Sequence, residues 1–232
     1  MQKDFSFTFN NQEHDALIVS DDLSALPTFV LIHGGGTGSK ERMHTYSGVL
    51  AKKGISMLSF DQSGAGKDKD NIKQSSLERR TNEAIYAITN FASKEPLVIA
   101  GSSMGGELAI RMLEHFPVKS LILLGPAIYD QAAFSLKFGE GFTEVIRTEG
   151  SWKNSRALPL LDQFTGKLLI IIGEHDEVIP PGVIEALDSH SRNASQKEIY
   201  RIPGCPHRYQ EWLQNHPEEL QKVAENVAAF SL

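Results

Sequence analysis

The sequence contains a single cysteine, Cys205, among its 232 residues. One thiol cannot form a disulfide within the chain, and such sparse cysteine usage is typical of proteins in a reducing compartment. Basic residues are also few, 23 against 29 acidic residues, which gives a formal net charge of −6. This balance argues against nucleic acid or an anionic membrane surface as the main partner.

Long hydrophobic runs are missing as well. The longest run is only about six residues, far short of the roughly 20 that a helix needs to cross a bilayer. The N-terminus, Met1 to Phe5, has neither the apolar core nor the cleavage site of a secretory signal. Together with the lone cysteine, these features predict a cytoplasmic protein without a membrane span.

Sequence motifs for metals and phosphates are absent too. The chain has no His-Glu-x-x-His and no paired cysteines. The run from Gly34 to Lys40 superficially matches a phosphate-binding loop, but its lysine does not directly follow the last glycine. Glu41 also stands where that loop needs a hydroxyl. We therefore expect neither a cofactor nor a metal.

The composition and patterning that remain are those of an α/β protein. Hydrophobic residues make up 41% and charged residues 22% of the chain, as in ordinary globular domains. The length fits one domain, over residues 1–232, with a substantial core. Short apolar runs alternate with amphipathic stretches, which predicts a mostly parallel sheet with helices on both faces.

The predicted elements begin with two strands, 5–9 and 16–19, that form an antiparallel hairpin at the sheet edge. Further strands are predicted at 29–32, 55–60, 97–100, 120–124, 168–172 and 198–202. Helices are predicted at 39–53, with Gly54 as its C-terminal cap, at 76–93, at 105–116 and from Pro217 onward.

The most informative segment runs from Gly101 to Gly105 and reads Gly-Ser-Ser-Met-Gly directly after an apolar run. This is the pattern of a nucleophile elbow, a strained strand-to-helix turn that exposes a serine hydroxyl above the sheet. The elbow needs glycine two residues before and two after the serine, because side chains there would collide with neighbouring backbone. Ser103 meets this requirement, whereas Ser102 would have Ala100 and Met104 at those positions.

A second buried-type strand ends in a glycine run, from His33 to Gly36. Acyl transfer needs two preorganised N–H donors for the oxyanion that develops on the substrate. We assign one to the amide of Met104, at the positive end of the helix after the nucleophile. We assign the other to Gly35, with Gly34 and Gly36 as alternatives. His33 is interpreted as a structural residue of this loop.

A candidate acid and a candidate base each follow a later strand. Asp176 comes after the apolar run at 168–172, and His207 comes after the alternating strand at 198–202. The chain order is therefore serine, acid, histidine, unlike the orders of chymotrypsin and subtilisin. Three other acids are alternatives to Asp176: Glu174, Glu177 and Asp130.

Five segments in this order resemble the α/β-hydrolase superfamily over nearly the whole chain. They are the glycine run at 33–36, the turn at 61–66, the elbow at 101–105, and the segments at 173–176 and 204–207. The resemblance implies a serine hydrolase in which His207 takes the proton of Ser103 and Asp176 orients His207. It implies no cofactor or metal, and we predict carboxylic esters of small molecules as substrates.

The resemblance does not identify the substrate, because this fold carries many chemistries. A thioesterase, an acyltransferase, a small-peptide or lactone hydrolase, or a carbon–carbon bond hydrolase would use the same three residues. A protein of a different class, a ligand sensor that keeps the fold without turnover, is a further alternative. Labelling by a fluorophosphonate with measurable turnover distinguishes an enzyme from such a sensor.

One segment interrupts the alternation of strands and helices. About 40 residues, at 125–165, separate two strands, which is more than a plain crossover needs. In the family this interval commonly carries a cap over the active site, and a single crossover helix with surface turns is the alternative. Four aromatic residues of this segment are predicted to line the substrate pocket: Phe134, Phe138, Phe142 and Trp152.

Overall fold

In the computed structural model, which describes residues 1–36, 38–41 and 47–232, the strands form one eight-stranded sheet. The strands are β1 (Gln2–Phe9), β2 (Gln12–Val19), β3 (Phe29–Ile32), β4 (Met57–Phe60), β5 (Leu97–Ser102), β6 (Val118–Leu124), β7 (Lys167–His175) and β8 (Gln196–Pro206). Their order across the sheet is β1-β2-β4-β3-β5-β6-β7-β8. The strand that leads to Ser103, β5, therefore lies in the interior of the sheet.

Helices occupy most of the connections between strands. They are α1 (Ser47–Ala51), α2 (Leu77–Phe91), α3 (Gly105–Arg111), α4 (Phe142–Arg147), α5 (Ala157–Asp162), α6 (Pro181–Ser189), α7 (Tyr209–Leu213) and α8 (Pro217–Ser231). Short 3₁₀ segments lie at Gly66–Gln74, Met112–Glu114, Gln131–Ala133 and Ser151–Asn154. Within the described residues, no helix has the length and apolar character that a membrane crossing requires.

The predicted N-terminal hairpin is confirmed, and its strands are longer than expected. Asn10 and Asn11 connect β1 to β2 with φ angles of 49° and 59°. Two successive residues with positive φ are the geometry of a type I′ hairpin turn, and asparagine tolerates it better than most residues. The hairpin pairs antiparallel with β4, whereas β4, β3 and β5 to β8 pair in parallel.

The continuous apolar strands are buried because both faces of the sheet are covered, as predicted. In β3, Val30 and Ile32 pack into the core on one face, and Phe29 and Leu31 pack into the core on the other. Successive side chains of a strand point to opposite faces, so every position of such a strand must be apolar. This pattern and the strand pairing confirm the predicted mostly parallel sheet with helices on both faces.

The helix predicted at 39–53 is corrected at its start. Residues 38–41 are not α-helical, and residues 42–46 lie outside the described residues, so the helix seen is α1. The amide of Lys40 donates instead to the Asp61 carboxylate at 2.7 Å, which holds the glycine loop to the turn after β4. Gly54 ends the segment with a φ of 77°, the left-handed conformation expected of a glycine cap.

The segment at 125–165, here called the insertion, contains 3₁₀ segments and the two short helices α4 and α5. A buried carboxylate ties it to the helix behind the elbow. Glu107 of α3 is fully buried and accepts from Ser155 Oγ at 2.8 Å and from the Tyr129 amide at 3.2 Å. It also forms an ion pair with buried Arg111 at 2.7 Å. The insertion is thus anchored directly to α3.

Glu107→Gln is expected to lower the free energy of unfolding by about 3 kcal/mol, because Arg111 is left as a buried charge without a carboxylate. Urea unfolding followed by circular dichroism measures the loss. Glu114→Gln is the matched control, since Glu114 pairs with Arg156, whose side chain is 54% exposed. Exposed pairs contribute only about 0–1 kcal/mol. Equal losses in the two variants would contradict a stabilising role of the Glu107 anchor.

Candidate active site

Ser103 occupies the strained turn that the sequence predicts. Its φ angle is 49°, in the left-handed region that non-glycine residues rarely adopt. A Cβ on Gly101 would lie 2.1 Å from the Gly105 carbonyl oxygen, and a Cβ on Gly105 would lie 2.3 Å from the carbonyl oxygen of Ile32. Both glycines are therefore required for this close approach of backbone segments.

The structure brings the three residues of the predicted triad into one hydrogen-bonded chain. Ser103 Oγ lies 3.2 Å from His207 Nε2, and His207 Nδ1 lies 2.8 Å from Asp176 Oδ2. The His207 side chain is 20% exposed and that of Asp176 only 2%. The serine and histidine are thus reachable by a substrate, while the carboxylate is shielded from solvent.

Asp176 is held in its ionised form by its surroundings. Burial alone would raise the pKa of Asp176, but hydrogen bonds from His207 and from the amides of Ile179 and Val178 outweigh it and lower the pKa. Those two amides donate to Oδ1 at 3.0 and 2.9 Å. This leaves Oδ2 for the histidine, which fixes the ring with its Nδ1–H toward the carboxylate.

The three alternative acids lie elsewhere. Glu174 accepts from the Gly204 amide at 2.8 Å, and Glu177 is exposed to solvent. Asp130 caps the 3₁₀ segment that follows it and accepts from Asn154 at 3.0 Å. Asp176 is therefore the acid that the structure places against His207.

The loop before α1 is held by His33, as the sequence suggested. Its Nδ1 lies 2.6 Å from the Gly34 carbonyl oxygen, and its Nε2 accepts from the Gln62 amide at 3.0 Å. Burial, followed by the charge of Arg80, lowers the pKa of His33 to about 3. The ring is therefore neutral, with the proton on Nδ1, and it connects the glycine loop to the turn after β4.

The residues that carry the two predicted oxyanion donors, Gly35 and Met104, are neighbours in the structure. A Cβ on Gly35 would lie 3.0 Å from Met104 Cε, and a Cβ on Gly34 would lie 3.1 Å from Ser103 Cβ. Among the described residues, the amides of Gly35 and Met104 donate to no backbone or side-chain acceptor. Two free amides beside a serine are what an oxyanion site requires.

Two cavities meet at Ser103. One, of about 290 Å³, is lined by the glycine loop, Ser102, His207 and residues 208–210. The other, of about 680 Å³, lies against the insertion and the start of α6. Its walls are mostly apolar and include Ala127, Ile128, Ile146, Trp152, Ile179 and Val183. A substrate at the serine can therefore extend into either cavity.

The prediction of the four lining aromatics is corrected for three of them. Trp152 lines the larger cavity, but Phe134, Phe138 and Phe142 line neither cavity that contains Ser103. Phe134 lies under the Arg111 guanidinium at 3.9 Å, and Phe138 lies 5.0 Å from the Arg80 guanidinium. Phe142 is buried against Phe138. These rings fill the space between the insertion and the helices instead.

Several site residues were missed in the sequence. Tyr209 Oη and Gln210 Nε2 donate to Ser102 Oγ at 2.8 and 3.2 Å, and both line the smaller cavity. Their position directly after His207 was the available signal.

No group of three or more histidine, cysteine, aspartate or glutamate side chains in the described residues is arranged to hold a metal ion.

The parallel sheet, the strained serine after β5 and the acid and histidine after β7 and β8 define an α/β-hydrolase. The family model described as "Serine aminopeptidase, S33" matches residues 24–150. This match covers more than half of the chain, and the chain therefore belongs to that family of α/β-hydrolases.

The chain is similar to parts of two curated relatives. Proline iminopeptidase of Thermoplasma volcanium is 24% identical over 190 residues, which is 77% of this chain and 61% of that protein. Putative methylesterase 12, chloroplastic, of Arabidopsis thaliana is 33% identical over 92 residues, 39% of this chain and 26% of that protein. The chain thus spans less than two thirds of either relative.

Solved structures are similar over nearly the whole chain. Est1E of Butyrivibrio proteoclasticus, solved with ferulic acid bound, has a TM-score of 0.71 at 20% identity and 97% coverage of both chains. The thioesterase domain from the curacin biosynthetic pathway has a TM-score of 0.70 at 13% identity, with 96% of this chain and 99% of that chain covered. At these identities the likeness establishes the fold.

Proposed function

We propose that the protein is a serine hydrolase that cleaves carboxylic esters of small molecules through an acyl-enzyme. The observation that carries this proposal is the hydrogen-bonded chain from Ser103 through His207 to Asp176 at a strained turn. A serine hydroxyl is a weak nucleophile unless a base within hydrogen-bond reach takes its proton. The solvent-shielded carboxylate orients that base and stabilises its protonated form.

The reaction proceeds in two half-reactions. In the first, Ser103 Oγ attacks the ester carbonyl carbon while its proton moves to His207 Nε2. The tetrahedral intermediate collapses as the carbon–oxygen bond to the alcohol breaks, and His207 returns the proton to the departing oxygen. In the second, His207 takes a proton from water as the water oxygen attacks the acyl carbon. The bond between the acyl carbon and Ser103 Oγ then breaks, His207 returns the proton to that oxygen, and the acid is released.

The negative charge of both tetrahedral intermediates falls on the former carbonyl oxygen. We assign its two donors to the amides of Gly35 and Met104, which have no acceptor among the described residues. Such preorganised donors stabilise the intermediate without reorganising during the reaction. His33 supports this assignment, because its two hydrogen bonds hold the loop that carries Gly35.

The two cavities suggest how the ester is placed. The larger one has the apolar character and size of a small-molecule pocket, and we assign the acyl group to it. The smaller one contains glycine backbone and polar side chains, and we assign the alcohol to it. This division favours an apolar acyl group esterified to a small polar alcohol.

A second candidate function is hydrolysis of small peptides. It is favoured by the match to the serine aminopeptidase family and by the similarity to a proline iminopeptidase. The same serine, histidine and aspartate would act, and the oxyanion donors would be unchanged. The carbonyl attacked would belong to an amide, so His207 would have to protonate an amine as it leaves.

A substrate panel tests the proposal. Activated esters of increasing acyl length, matching thioesters and aminoacyl anilides including the proline derivative would be assayed beside fluorophosphonate labelling. We expect the fluorophosphonate to label the protein. We also expect the esters to be hydrolysed with a higher kcat/KM than the thioesters and the anilides. Faster turnover of the anilides would favour the peptidase function. Tight binding of small ligands without labelling or turnover would contradict an enzyme and favour a sensor.

Trp152→Ala is expected to shift the preferred acyl group toward longer or bulkier chains by about two carbons or more. Trp152 lines the larger cavity and packs against Gly182 at the start of α6, so its removal deepens the pocket. Each additional buried methylene is worth about 0.8 kcal/mol, which is roughly fourfold in kcat/KM. A chain-length series of activated esters measures the shift.

Phe134→Ala is the matched control for this series. Phe134 belongs to the same insertion and is also aromatic, but it packs on Arg111 and lines neither cavity that contains Ser103. Its profile of kcat/KM against chain length should keep the wild-type optimum. An unchanged optimum in Trp152→Ala, or an equal shift in the control, would contradict the assignment of the acyl group to this cavity.

A further inference from the structure

Arg80 of α2 is a completely buried cation beside the candidate active site. Its Nε and Nη2 donate to the carbonyl oxygen of Ser63 at 3.1 and 2.8 Å, and Nε also lies 3.3 Å from Ser75 Oγ. The face of the guanidinium is covered by the ring of Phe138 at 5.0 Å. These contacts fix its position but are all made to neutral groups.

Among the residues that the structure describes, the guanidinium of Arg80 forms no ion pair. No carboxylate of the described residues lies within ion-pair distance of it, and the carboxylate of Glu83, whose charge acts on Arg80, is engaged by Arg79 Nε and the Ser63 amide. The other buried arginine, Arg111, differs because it pairs with Glu107 at 2.7 Å. Burial lowers the pKa of Arg80 to about 10, so the side chain remains charged at neutral pH.

The remaining nitrogen of Arg80 points toward the elbow. Nη1 lies 3.5 Å from Met104 Sδ, and a thioether is only a weak acceptor. On its other side the Met104 side chain reaches the Gly35 backbone, where a Cβ would lie 3.0 Å from Met104 Cε. The charge also acts on His33, the residue that holds the glycine loop. The Met104 side chain therefore lies between the Arg80 guanidinium and the backbone of Gly35, which carries one of the two assigned oxyanion donors.

We propose that Arg80 is a positioning residue that stabilises the oxyanion from behind Met104. It supplies a fixed positive charge where negative charge develops, without touching the substrate. This inference rests on the proposed hydrolase function. A buried unit charge at a separation of roughly 8 Å, with an effective dielectric constant of about 20, changes a rate by about tenfold to thirtyfold. Because the ester in its ground state is neutral, the charge acts on kcat and leaves KM unchanged.

The test compares Arg80→Met, which removes the charge, with Arg80→Lys, which keeps it. Arg80→Gln is a second neutral variant that can still donate to the Ser63 carbonyl, in case the methionine variant fails to fold. Arg79→Met is the control. It removes the same unit charge at the neighbouring position, where the Arg79 side chain is 38% exposed. Each folded variant is assayed for ester kcat and KM and for the affinity of a phenylboronic acid. This compound becomes a tetrahedral anion when serine Oγ bonds to boron.

We expect the neutral variants to lose about tenfold or more in kcat and in boronate affinity, with KM unchanged. Arg80→Lys should stay within about threefold of wild type even though its unfolding temperature falls, and Arg79→Met within about twofold. Equal losses in the lysine and neutral variants would indicate a packing role and overturn the proposal, as would a neutral variant with wild-type kcat. A wild-type protein that neither hydrolyses esters nor binds the boronate would overturn the hydrolase function itself.

Discussion

Ser103→Ala is expected to lower kcat for ester hydrolysis by about 10⁴-fold or more. Without the hydroxyl no acyl-enzyme forms, and only binding and the oxyanion donors remain to promote attack by water. The pocket should survive, because the backbone bonds that shape the elbow do not involve Ser103 Oγ. Steady-state assays on an activated ester, with thermal unfolding as a check on folding, measure the effect.

Ser102→Ala is the control for this variant. Ser102 is the preceding residue and also a serine, but its Oγ is buried and accepts from Tyr209 and Gln210 instead of facing His207. Removing that hydroxyl removes the hydrogen bonds that Tyr209 and Gln210 donate to it but keeps the proposed nucleophile. We expect a loss of about thirtyfold or less, because each of the two lost hydrogen bonds contributes about 1 kcal/mol. A larger loss in Ser102→Ala than in Ser103→Ala would reassign the nucleophile.

His207→Ala is expected to lower kcat about as much as Ser103→Ala, because the serine is not activated without its base and the three residues act as a unit. Asp176→Asn is expected to cost less than either, since the imidazole remains in place but loses the carboxylate that orients it and stabilises its protonated form. Steady-state kinetics at neutral pH on the same ester compare the variants.

Glu174→Gln is the matched control for the acid. Glu174 lies two residues before Asp176, but it is exposed, and its carboxylate accepts a hydrogen bond from the Gly204 amide. Its activity should remain close to that of wild type. Wild-type activity in Asp176→Asn together with an inactive Glu174→Gln would move the role of the acid to Glu174.

The triad geometry was predictable because each of its residues follows a short buried strand. Parallel strands bring their carboxyl ends to one edge of the sheet, so Ser103, Asp176 and His207 were expected to meet there. The choice of Asp176 over Glu174 was less constrained by sequence. It depends on which carboxylate the turn after β7 aims inward, and the amides of Val178 and Ile179 determine this.

The wrong predictions concern aromatic residues of the insertion. No strand or long helix there gives the sequence a periodicity from which the direction of a side chain can be predicted. The sequence there shows that Phe134 and Phe138 are aromatic but not which way they point. The rings face buried arginines, because a guanidinium removed from water gains from the face of an aromatic ring. Of the four aromatic residues predicted to line the pocket, Trp152 alone lines the larger cavity at Ser103.

The burial of Arg80 could not be predicted from its residue type, since arginine in an amphipathic helix is usually exposed. Its spacing carried a signal nonetheless. Arg80, Ala84 and Ala87 recur at the interval of one helix face, and all three are fully buried. The charge thus lies on the apolar stripe of α2, where a sequence pattern alone would have placed an aliphatic side chain.

The most direct test of the central claim is the site of covalent labelling. The wild-type protein would be treated with a fluorophosphonate, digested and analysed by peptide mass spectrometry, beside Ser103→Ala and Ser102→Ala. We predict one adduct in the wild type, located on Ser103, retained in Ser102→Ala and lost in Ser103→Ala. Ester turnover with no adduct on Ser103, or an adduct that persists in Ser103→Ala, would contradict a serine hydrolase with this nucleophile.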